Sequence, residues 1–124
     1  MQPWSVPLQC LIVDDSPSFL EAASSVLQRE GLTVAGVASA IADALRQARE
    51  LRPDVVLVDI MLGHESGFDL ARLLAEDGAA SPAVIMISTY AEADFSDLIE
   101  ESPVAGFVPK SQLSAAAILR LIGS

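Results

Sequence analysis

An alternation of short apolar runs with longer amphipathic segments predicts an α/β protein built on a doubly wound parallel sheet. The runs are Leu8 to Val13, Leu32 to Ala38, Val55 to Val58, Ala83 to Ile87 and Val104 to Val108. They are continuous rather than alternating and rich in Val and Ile, as strands buried on both faces of a parallel sheet require. Each is followed by a segment with apolar residues at helical spacing, so five strands alternate with five helices through right-handed crossovers. At 124 residues, 52% of them hydrophobic and 5% aromatic, the chain has the size and the aliphatic content for one such domain. It reads as a single domain over residues 1–124, with a core from about 8 to 122.

The first helix opens at Ser16, an N-cap, with Pro17 at the first helical position. Phe19, Leu20, Ala23, Val26 and Leu27 form its apolar face, and Gly31 stops it. Ser39 is the expected cap of the second helix, with Ile41, Ala44, Leu45, Ala48 and Leu51 inward and Pro53 beyond. Ser66 is the expected cap of the third, with Leu70, Leu73 and Leu74 inward and Gly78 after it. The fourth runs from about Ala91 to Glu100 on the weaker signal of Phe95, Leu98 and Ile99. Ser111 precedes the fifth, which carries Leu113, Ala116, Ala117, Leu119 and Arg120.

Charge and cysteine content narrow the setting. A net charge of −10 without a Lys/Arg cluster argues against direct nucleic-acid binding. No apolar run is long enough for a membrane span, and the N-terminus lacks the pattern of a signal peptide. The single cysteine, Cys10, lies in an apolar run and forms no internal disulfide, which suits a reducing cytoplasm.

In doubly wound sheets function collects beyond the carboxyl ends of the strands. Asp14 and Asp15 follow the first strand, Asp59 ends the third, Ser88 and Thr89 end the fourth, and Pro109-Lys110 ends the fifth. Singly these are turn, cap or surface residues. Together they bring three carboxylates, a hydroxyl and the only lysine to one edge. Clustered carboxylates repel unless cations sit among them. Lys110 supplies one positive charge, and a hard divalent ion, Mg²⁺ with Mn²⁺ as an alternative, supplies the rest. The set suits phosphoryl transfer to Asp59 as nucleophile, with Asp15 and Asp59 on the metal directly and Asp14 through water. Lys110 and Ser88 then hold phosphoryl oxygens.

The chain resembles the receiver domains of two-component response regulators. The resemblance rests on Leu11-Ile12-Val13-Asp14-Asp15-Ser16, on Asp54 to Leu62, and on Ser66-Gly67-Phe68-Asp69-Leu70. Val84 to Ser88 and Ala105 to Lys110 complete it. It implies a flavodoxin-like (βα)5 three-layer sandwich with strand order 2-1-3-4-5. It implies Asp59 as phosphoacceptor, Asp14 and Asp15 as the acidic metal pair, and the backbone carbonyl of Met61 as a further metal ligand. Ser88 takes the place of the switch hydroxyl, Phe107 that of the switch aromatic, and Lys110 that of the family's lysine. No other cofactor site is implied. The implied partners are a sensor histidine kinase or phosphotransfer protein and a downstream output domain or protein. The face of the fourth helix, fifth strand and fifth helix controls output, and homodimers through it are known in the family. The acids Asp94, Asp97, Glu100 and Glu101 on that face show no matching bases. The setting implied is bacterial and cytoplasmic, and the activity is that of a switch rather than an enzyme acting on another substrate. The chain is either a complete single-domain regulator or the receiver of a longer protein.

Some residues depart from the family pattern. Gly63 stands where many receivers have Pro, and Ser111 follows Lys110 where Pro is common. Met61 and Tyr90 occupy places that tune phosphoryl lifetime, and His64 is an exposed loop residue. An aspartyl phosphatase of the haloacid-dehalogenase type needs a second Asp two residues after the nucleophile, where Met61 stands. A flavodoxin-like electron carrier needs a hydroxyl-rich phosphate loop, where Asp14-Asp15-Ser16-Pro17 is acidic. A receiver-like binding module that is never phosphorylated usually lacks one of the acids or the lysine, and all are present here.

Overall fold

The computed structural model describes residues 8–77, 82–89 and 92–123. The strands of the main sheet are β1 (Gln9–Val13), β2 (Thr33–Ala38), β3 (Val55–Asp59), β6 (Ala83–Ser88) and β7 (Gly106–Pro109). All pairings are parallel, in the order β2-β1-β3-β6-β7. Counted along the main sheet alone, this is the expected 2-1-3-4-5 order of a flavodoxin-like fold. The chain passes from β1 out to β2 and returns to β3, so the topological switch point lies between β1 and β3.

The period-2 geometry of the strands divides the core into two. Leu11, Val13, Val56, Val58, Val84, Met86 and Phe107 face one side of the sheet. They pack there with Ala44 and Ala48 of α2 (Ile41–Leu51) and with Phe68, Leu70 and Leu74 of α3 (Gly67–Glu76). Ile99 of α4 (Ser96–Glu101) lies against the same cluster. Cys10, Ile12, Val55, Leu57, Ile85, Ile87 and Val108 face the other side. Their partners are Ala23 and Leu27 of α1 (Pro17–Arg29) with Ala115 and Ile118 of α5 (Ala115–Leu121). Three layers result, and the central strand β3 is buried along its whole length.

The helix termini show where local signals prevail and where they do not. Ser16 Oγ accepts from Phe19 N–H and Ser66 Oγ from Phe68 N–H, so both expected caps form. Ser39 does not cap α2. Ala40 is its N-cap residue, and Glu65 Oε1, 24 positions further on, accepts from Ile41 N–H at 3.0 Å. The fifth helix does follow Ser111, but a 3₁₀ turn over Lys110–Gln112 delays its start to Ala115. Ser114 Oγ accepts from Ala117 N–H, and Glu30 Oε1 from Ala115 N–H at 2.7 Å. The buried residues of α5 are accordingly Ala115 and Ile118.

Other boundaries shift as well. A 3₁₀ turn over Glu92–Phe95 precedes a short α4, whose Leu98 is exposed. Leu51 and Leu73 also reach solvent rather than the core. Val104 packs against the core but lies before β7. Gly78, Tyr90 and Ala91 lie outside the described residues. The loop after β3 contains a small antiparallel pair, β4 (Met61–Leu62) with β5 (Glu65–Ser66), turning at Gly63 with φ +62°. Edge strand β2 is partly sealed by α2: Gln47 Nε2 donates to the Val37 carbonyl at 2.7 Å, its side chain lying where a Cβ on Gly36 would stand. No described helix is long and apolar enough to cross a membrane.

Candidate functional site

Asp14 and Asp59 stand at the ends of adjacent strands β1 and β3, on the two sides of the switch point. Asp14 is fully buried and Asp59 nearly so, whereas Asp15 is exposed. A carboxylate oxygen of each lies within 4.8 Å of the other two. The backbone holds this arrangement. Asp14 N–H donates to the Ala38 carbonyl at 3.0 Å, and Asp14 Oδ1 accepts from Ser16 N–H at 2.8 Å. Ile60 N–H donates to the Ile87 carbonyl, and Asp59 Oδ1 accepts from Met61 N–H at 3.3 Å.

Lys110 comes from the end of β7 and reaches across the sheet edge. Its Nζ lies 2.5 Å from Asp14 Oδ2 and donates to Asp59 Oδ2 at 3.3 Å. Asp14 Oδ2 is buried and accepts no well-directed hydrogen bond, so its contact with the ammonium is an ion pair. The ammonium also sits over the ring of Phe19 from α1, 4.4 Å from the centroid. Burial lowers the Lys110 pKa, but the close contact with Asp14 and the charges of Asp59 and Asp14 outweigh it and raise the pKa overall. The Asp59 carboxyl is pushed above its ordinary value, first by burial and then by the Asp14 charge, with Lys110 offsetting part.

Around this centre, Ser88 is buried at the end of β6 and stands in register with Pro109, beside Lys110. Thr89 is exposed. Phe107 is buried on the α3/α4 side of the sheet, one strand over from Met86. Met61 is exposed at the start of the small hairpin, and His64 is exposed at its turn. Gly67 fits closely beneath the site: a Cβ there would overlap the Asp59 carbonyl oxygen and crowd Val58. Among the described residues no peptide bond is cis, Pro109 included. Sequence reasoning placed Phe19 in a helix face and gave Glu65 and Gly67 no role at the site. The contact of Phe19 with Lys110 depends on ring orientation, for which residue spacing carries no signal.

Comparison with known proteins agrees with this architecture. The chain is 39% identical over 79 residues to the DNA-binding response regulator MtrA of Mycolicibacterium smegmatis, covering 64% of this chain and 34% of that protein. It is 39% identical over 87 residues to protein-glutamate methylesterase/protein-glutamine glutaminase 5 of Myxococcus xanthus, covering 69% of this chain and 25% of that one. The chain thus spans about a third or less of the length of these relatives. Among solved structures, the receiver domain of the NarL response regulator from Mycobacterium tuberculosis superposes with a TM-score of 0.83 at 23% identity. That match covers 97% of this chain and 100% of that one, and it speaks for the fold. The sequence model of the response regulator receiver domain matches residues 10–122, which hold every described helix and all of the main sheet except Gln9. The chain therefore belongs to the response regulator receiver domain family of two-component systems.

Proposed function

We propose that the chain is a phosphoacceptor switch that takes a phosphoryl group on Asp59 from a partner histidine kinase or phosphotransfer protein. The observation carrying this reading is the single lysine paired with both Asp14 and Asp59, with the Asp15 carboxylate beside them, at the switch point. The domain is taken as residues 1–124, with its core from about 8 to 122.

The acids suit a hard divalent cation. Three carboxylates converge, and one lysine, paired with two of them, is the only described cation that offsets them. Mg²⁺, or Mn²⁺ in its place, would be held by Asp14, Asp15, Asp59 and the Met61 carbonyl. Bound there, the ion would neutralise charge on the transferring oxygens. The remaining work falls to the chain. An Asp59 oxygen forms the O–P bond as the P–N bond to the donor histidine breaks, and the imidazole leaves with the electron pair and takes up a proton. Lys110 moves from the Asp59 carboxylate to a phosphoryl oxygen. Ser88 donates to another, and Phe107 follows it inward, which changes the face made by α4, β7 and α5. That face carries an open groove bordered by Phe107, Pro109, Gln112, Arg120 and Leu121. A downstream output domain or protein reads the change, in the cytoplasm.

The test is intact mass after incubation with acetyl phosphate or phosphoramidate, with and without Mg²⁺, for wild type and Asp59→Asn. One Mg²⁺-dependent phosphoryl adduct, absent from Asp59→Asn, is expected. An adduct retained in Asp59→Asn, or none in wild type from either donor, overturns the reading.

A further inference from the structure

The Lys110 ammonium has three N–H donors, and the described residues offer it only two oxygens, Asp14 Oδ2 and Asp59 Oδ2. Its third neighbour is the face of Phe19. The ring is itself held in place. Phe19 packs against the core on the α1/α5 side of the sheet, and its N–H is bound by Ser16 Oγ. Ser16 N–H is bound in turn by Asp14 Oδ1, so the contacts Asp14–Ser16–Phe19–Lys110–Asp14 close on themselves.

An aromatic face offers something no other side chain offers at this point. A carboxylate would attract the ammonium but add a fourth negative charge to the cluster and hold the lysine as firmly as Asp14 does. An aliphatic side chain would exclude water without attracting the charge. The π face attracts the cation while presenting no acceptor that an incoming phosphoryl oxygen must displace. A long lysine side chain with many rotamers is thereby confined near the reacting oxygen and left free to pivot towards it.

We propose that Phe19 is a positioning residue for phosphoryl transfer, keeping the Lys110 ammonium over its ring beside Asp59. This rests on the phosphoacceptor reading of Asp59, and the test separates the two. Lys110 is the only lysine, so protein labelled with [¹³C]lysine gives a single side-chain set. In wild type the Lys110 ε-methylene protons are expected to be shifted upfield by the ring, without any phosphodonor present. The shift should vanish in Phe19→Leu and persist in Phe19→Tyr, with native-like amide spectra in both. In the same preparations, Phe19→Leu should slow Asp59 phosphorylation by acetyl phosphate about three- to tenfold, and Phe19→Tyr should restore it. An unshifted Lys110 signal in wild type, or a Phe19→Leu rate equal to wild type, overturns the positioning role. Wild type that shows the shifted signal but takes no phosphoryl group overturns the phosphoacceptor reading and, with it, the role in transfer, while the contact itself stands.

Discussion

Two residues of the site make opposite demands on stability. Burial and the Asp14 charge raise the pKa of Asp59 in the folded protein, so the native state holds that proton more readily than the unfolded chain. Stability arising from this carboxyl therefore falls as pH rises from its unfolded value through its folded one, and the deficit persists at neutral pH. With a chelator present, Asp59→Asn should be more resistant to urea than wild type at pH 7, and the difference should shrink at about pH 3. Equal midpoints at pH 7 would show that Lys110 compensates the buried charge fully. Gly67 acts in the other sense. Its missing side chain lets α3 approach the Asp59 backbone, and its N–H donates to the Ile60 carbonyl at 2.8 Å. Gly67→Ala should cost about 3 kcal/mol in urea titrations, because the obstructing atom is backbone and cannot rotate away.

The elements were legible in proportion to how local their causes are. Runs such as Val55 to Val58 announce a doubly buried strand by composition alone, and Ser16 and Ser66 cap the helices they precede. Ser39 misled because the group that binds the first α2 amide comes from a distant position, Glu65, and the start of α5 is likewise set partly from afar, by Glu30. Leu98 lay in the expected helix yet is exposed, since α4 is short and touches the core mainly through Ile99 and the preceding Phe95. At the site, the strand-end rule was enough to gather Asp14, Asp59, Ser88 and Lys110. The ring beneath the lysine and the hairpin after Asp59 are outcomes of packing that no spacing encodes. The Glu65 cap is testable as an element property. Glu65→Ala should cost about 1 kcal/mol and reduce hydrogen-exchange protection of the Ile41 amide. Unchanged protection there would mean that solvent serves that amide equally well.

For the molecule as a whole, two cores share one sheet, and Cys10 reports on one of them. It is fully buried near the start of β1, and burial pushes its thiol up to about 12. A disulfide reagent at pH 8 should therefore modify it only when the sheet opens, at a rate that climbs with urea in step with global unfolding. Fast modification of the native protein would show that β1 opens independently. The cover on strand β2 has a consequence at a larger scale still. A second copy stacking its own strand on this edge would extend the sheet from one molecule into the next. The Gln47 amide already occupies the Val37 carbonyl, so such a strand must first evict a glutamine from α2 before it gains that rung. The same helix that closes one side of the core thus acts as a gatekeeper against runaway polymerisation of the fold.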